Sequence, residues 1–178
     1  MKIKFLIASA LTFLGCGQRH NNKEDRTIEQ SVNNNSSMEI NKGFQIDSPK
    51  IFVPWGINEN ELTGLFNGYN LKHVTTGYYT TGCTSLNGLT CMLGFHFEPR
   101  SNGLLNELEF FRTNYEDQRK SFDEFQTHFA NAFGQPTATD KGTEGFNNYV
   151  WQFSDIQIVH YVFDRFGPEE HMRIKKMK

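Results

Sequence analysis

The chain of 178 residues sets 18 Lys and Arg against 20 Asp and Glu, a formal charge of −2. That mild acidity excludes the basic face needed to bind nucleic-acid phosphates. Its 17 phenylalanines supply apolar volume for one domain with a proper core, and its three cysteines leave an odd count to explain.

The chain opens with Met1-Lys2-Ile3-Lys4, then the apolar run Phe5 to Leu14, then Gly15 and Cys16. Two lysines, a short apolar core and a small residue before a cut form the pattern of a secretory signal, here residues 1–15. The run is shorter than the roughly 20 apolar residues that span a bilayer, so cleavage is expected. Cleavage removes Lys2 and Lys4 and no acid, moving the charge from −2 to −4. No later apolar run is long enough to span a membrane.

Phe13-Leu14-Gly15-Cys16 resembles the lipobox of bacterial lipoproteins, with Phe13 where leucine is usual. The resemblance implies that Cys16 is lipidated and becomes the mature N-terminus. It implies a tether to a bacterial membrane, the outer membrane of a Gram-negative envelope being the expected place. More than one acyl chain on that cysteine suffices for stable anchoring. An ordinary secretory signal with an incidental cysteine is the alternative.

Residues 16–42 are polar, with Lys23-Glu24-Asp25 and Asn33 to Ser37, and cannot offset their ordering entropy by burial. They read as a flexible tether. Lys23-Glu24-Asp25 loosely resembles the charged export signals of Bacteroidetes surface lipoproteins; a solvated linker cluster is the plainer reading.

Residues 43–178 read as a single α+β domain. Asn58 and Glu61 form a capping box for a first helix, with Leu62, Leu65 and Phe66 on one face and Gly68 as the stop. Strand patterns follow at Tyr78 to Thr81, Thr90 to Phe97 and Leu104 to Phe111. Ser121 and Glu124 predict the start of a second helix, and Phe122, Phe125, Phe129 and Phe133 its core stripe; Gly134 and Pro136 end it. Asn148 to Phe153, Ile156 to Phe163 and His171 to Lys176 read as further strands.

Helix then three strands, twice, predicts two tandem α-β-β-β units (about 50–115 and 116–178) forming an antiparallel sheet. The helices pack on one face and the other is left partly open. This element order resembles the β-lactamase inhibitor protein and the small outer-membrane assembly lipoproteins of similar fold. The resemblance implies protein binding and carries over no site residue.

Cys83 and Cys91 remain as a pair once Cys16 is lipidated, and an exported location permits a disulfide between them. A three-residue Leu86-Asn87-Gly88 loop with Gly88 left-handed would place 83 opposite 91, whereas an Asn87-Gly88 turn would misalign them. If the two halves match, His96 and His160 occupy equivalent middle strands, and with His171 they could form a metal site, though partly exposed sheet histidines are the ordinary reading. No metal or cofactor is therefore expected. Gly-x-Ser-x-Gly, Ser-x-x-Lys and glycine-rich phosphate loops do not occur. Tyr78 and Tyr79, in a run of threonine and glycine, and Trp55 and Trp151 are candidates for a binding surface, with core packing as the alternative.

The expected function is a membrane-anchored envelope lipoprotein with a non-catalytic protein-binding domain, as in a hydrolase inhibitor or an immunity protein. The alternatives are a small envelope hydrolase and a structural component of an outer-membrane machine.

Overall fold

The computed structural model describes residues 40–98, 103–112, 123–142, 145–164 and 168–177. The expected signal segment (1–15), Cys16 and residues 17–39 of the expected tether lie outside them. Two short strands, β1 (Gly43–Ile46) and β2 (Ile51–Pro54), pair as an antiparallel hairpin. Helix α1 (Glu59–Leu65) precedes β3 (Lys72–Thr75), β4 (Tyr78–Ser85), β5 (Leu89–Glu98) and β6 (Leu104–Phe111). Helix α2 (Glu124–Phe133) precedes β7 (Ala138–Lys141), β8 (Asn147–Phe153), β9 (Ile156–Asp164) and β10 (Pro168–Lys176). β3 to β10 form one eight-stranded antiparallel sheet in the order β3-β4-β5-β6-β10-β9-β8-β7. The fold is mixed α+β and rich in antiparallel strand.

Both helices carry local signals. Asn58 Oδ1 accepts from Glu61 N at 3.0 Å and Asn58 N donates to Glu61 Oε2 at 2.8 Å, completing the capping box of α1. Leu62 and Phe66 are buried, but Leu65 is 39% exposed, because so short a helix presents only a narrow stripe to the sheet. In α2, Phe125, Phe129 and Phe133 are buried at helical spacing, and Gly134 at φ 83° ends it. Ser121 and Phe122 lie outside the described residues; α2 starts at Glu124.

Strand alternation and register sort the sheet into two faces. Phe95 lies opposite Leu108, Phe110 opposite Met172, and Ile174 opposite both Leu108 and Ile158. On this face Phe66 of the α1 end meets Phe95 at 5.4 Å, and Phe129 of α2 meets Phe110 at 5.2 Å and Trp151 at 6.5 Å. The β1–β2 hairpin joins them, its Phe44 ring 5.1 Å from Phe110. The core therefore lies between the sheet and a second layer made of two helices and a hairpin.

Among the described residues four strands follow each helix, where the sequence predicts three. The additional ones, β3 and β7, are the sheet edges, and all of their residues are exposed. With no buried face they carry no alternating apolar pattern. Among the described residues, no helix is long and apolar enough to cross a membrane.

Candidate functional site

The sheet face turned away from the helices is covered by no described element. The same registers that bury Phe95, Phe110 and Met172 place His96, Glu109, Glu107, Arg173 and Lys175 on it. Across the β6–β10 seam they form an ionic ladder. Arg173 reaches Glu109 Oε1 at 3.0 Å and Glu107 Oε1 at 3.2 Å, and Lys175 Nζ lies 3.4 Å from Glu107 Oε2.

Glu109 is the hub. Its Oε2 is 3.1 Å from His96 Nε2. Its Oε1, besides Arg173, is 3.5 Å from His171 Nδ1 and accepts from Tyr161 OH at 3.4 Å. Burial of this carboxyl acts to raise its pKa. The His171 and His96 imidazoles and the Arg173 guanidinium outweigh that and hold it well below the usual carboxylate range.

Aromatic rings frame the hub. Tyr78 stacks on His96 at 4.5 Å. Gly94 makes this possible, since a Cβ there would lie 2.8 Å from the Tyr78 hydroxyl and 2.9 Å from its ring. On the other side His171 stacks between Tyr161, at 5.3 Å, and Phe111, at 6.3 Å, with Phe163 edge-on at 6.5 Å. Arg173 sits 5.7 Å from the Tyr161 ring centre. Burial first, then the Glu109 charge, pushes Tyr78 up to about 12. Burial does most to push Tyr161 up to about 12, against the opposing charge of Arg173. Phe163 is 38% exposed, and the Arg173 side chain is 44% exposed.

Of the four residues that the sequence offers as a binding surface, only Tyr78 belongs to this face; His96 and His171, considered there as metal ligands, lie on it as partners of Glu109. Tyr79 points the other way, as its neighbour in a strand must, and donates to Glu59 Oε2 of α1 at 2.7 Å; that hydrogen bond raises its pKa. Trp55 and Trp151 are not surface residues. Trp55 is buried with Nε1 donating to Ile40 O at 2.6 Å, and Trp151 is wholly buried with Nε1 donating to Gly134 O at 2.7 Å. Each uses its one donor on a backbone carbonyl, which is how an indole joins a core.

His160 also faces the helices, with Nε2 2.8 Å from the buried carboxylate of Glu170, so it cannot meet His96 and His171. Among the described residues, no three His, Cys, Asp or Glu side chains are grouped to hold a metal. Cys83 and Cys91 lie directly opposite on the helix side, their Sγ atoms 3.9 Å apart. The loop between their strands is Leu86-Asn87-Gly88, with Gly88 at φ 106°.

Sequence reasoning missed the ladder and its hub. The available signal was like charge at alternate positions, Glu107 and Glu109 on one strand and Arg173 and Lys175 on another. What hid it was distance along the chain, since Arg173 and Glu109 are 64 residues apart.

No protein-family model matches the chain, and no curated protein matches it. Among solved structures, a DUF4309 family protein (YjgB) from Bacillus subtilis is similar over 84% of this chain and 96% of its own. The identity is 14% and the TM-score 0.41, a likeness too distant to bring a function with it.

Proposed function

We propose that this chain is an envelope lipoprotein, anchored through Cys16, whose domain binds another protein through the open sheet face. The observation that carries the reading is the convergence of partly exposed aromatic rings and an ordered ionic ladder on a face that no described element covers. Rigid aromatic side chains beside an exposed arginine are the groups that dominate protein–protein contacts. Inhibition of a hydrolase, or immunity toward a toxin, is the form this takes. The matching order of one helix and four strands on each side of the β6–β10 seam supports reading the domain as two tandem units.

A small hydrolase is the second reading, and the gathering of His96, His171 and Glu109 is what favours it. The protonation chemistry favours binding instead. A carboxylate held far below its ordinary pKa by several partners is a weak base, and tyrosines near 12 are poor acids at neutral pH.

Site-specific photo-crosslinking tests the binding reading. A crosslinker replacing Phe163 or Arg173 should capture one partner in intact cells, and excess purified domain should compete it away. The same crosslinker at Thr63, exposed on α1, should not. Equal capture from both faces, or none from the open face, sinks the reading. The anchor is tested separately: Cys16→Ser should release the chain from the membrane fraction and abolish its labelling by a fatty acid.

A further inference from the structure

Cys83 and Cys91 take no part in the open face, yet the fold holds them as an enclosed pair. They are 6% and 0% exposed and directly opposed, with Sγ atoms 3.9 Å apart. Two elements clasp this end of the β4–β5 hairpin. From β1–β2, Asp47 N and Ser48 N each donate to Thr84 O at 3.0 Å, and Gln45 O accepts from Ser85 Oγ at 2.9 Å. From α2, His128 Nδ1 lies 2.8 Å from Leu86 O, a contact that requires the Nδ1–H tautomer.

The hydrogen bond to Cys83, then burial and the charge of Glu124 at the start of α2, push the Cys91 thiol up. Disulfide exchange needs a thiolate and an open path to the oxidant's sulfur. The clasped state holds the Cys91 thiol protonated and shuts both sulfurs away from solvent, while the register already brings them together.

We propose that Cys83 and Cys91 become a cross-strand disulfide before α2 and the β1–β2 hairpin close over the β4–β5 hairpin, so that the finished fold seals the bond from exchange. The oxidant is a disulfide of the exchange class, such as that of an envelope oxidoreductase or of oxidised glutathione. One cysteine thiolate attacks it, forming a mixed disulfide and expelling a thiolate. The second cysteine thiolate attacks the protein sulfur of that mixed disulfide, forming the Sγ–Sγ bond and expelling the other thiolate. The two cysteines lose two protons and two electrons, and the oxidant is reduced to two thiols. In the cell this needs the oxidising compartment that the export reading supplies; in a purified sample it does not.

The test uses the Cys16→Ser chain, which leaves these two thiols alone. Refolding from urea into buffer with oxidised glutathione should yield a chain lighter by two hydrogens, with no thiol open to alkylation after denaturation. The chain folded first under reduction, then moved to the same buffer, should oxidise at least about tenfold more slowly, speeding up as urea opens it. Two alkylatable thiols, or glutathione adducts, after oxidative refolding would overturn the bond. Equal rates from the folded and unfolded chain would overturn its early formation. Either result leaves the open-face reading untouched, because no partner enters the assay.

Discussion

Glu109 shows how one side chain organises a surface. Its carboxylate is only 12% exposed, and His96, His171, Arg173 and Tyr161 all address it. Its folded pKa is below the unfolded value of about 4.3, so the stability it contributes is fully present above that pH and is lost as pH falls toward the folded value. Glu109→Gln should therefore lower stability at pH 7 by about 1–2 kcal/mol, a figure discounted for the exposure of Arg173. It should also flatten the decline seen below about pH 4.3. Urea denaturation of both proteins from pH 7 down to pH 3 checks this. A variant whose acid sensitivity matches the wild type would mean that other carboxylates govern the loss.

At the scale of elements, α2 depends on a cap from outside itself. Its N-cap, Asp123, makes no side-chain capping bond. Instead Phe125 N and Gln126 N donate to Glu170 Oε1 at 2.9 and 3.2 Å, and Arg112 reaches Glu170 Oε2 at 3.0 Å. Glu170 is fully buried, so Glu170→Gln removes the negative charge that faces the buried Arg112 guanidinium. We expect a loss of about 3 kcal/mol or more, with faster amide exchange in the first turn of α2. The loss should exceed that of Glu109→Gln in the same urea titration.

This cap also marks where sequence reading stops. The Asn58–Glu61 capping box was legible because donor and acceptor are three residues apart, and the α2 stripe because Phe125, Phe129 and Phe133 repeat within one helix. The facing of the two cysteines turned on the length of one loop, which the sequence left open between two residues and three and the structure gives as three. Glu170 lies 45 residues from Phe125, and nothing local marks it as a cap. Trp55 and Trp151 failed for the same reason, since their burial is decided by chain that packs on them from elsewhere. The openness of one face was legible from hairpin-connected strands, but the groups that fill its centre come from β6 and β10 together.

For the whole molecule the β6–β10 seam is the joint, with Phe110 against Met172 and Leu108 against Ile174 below and the ionic ladder above. Opposite charges directly across a strand pair help select register. Lys175→Glu, facing Glu107, should cost about 0.5–1 kcal/mol, and Glu107→Lys added to it should restore part of that loss. A double-mutant cycle followed by thermal unfolding measures the coupling; no recovery in the double variant would mean the ladder plays no part in register. The seam also has a temporal consequence. Among the described residues β10 is the last strand in chain order, yet it lies mid-sheet, between β6 and β9. Until it arrives, both neighbours are raw edges and the sheet is two unjoined pieces. The sheet therefore cannot close until the chain through Lys176 is available, and the interval before that is the moment of greatest exposure to aggregation.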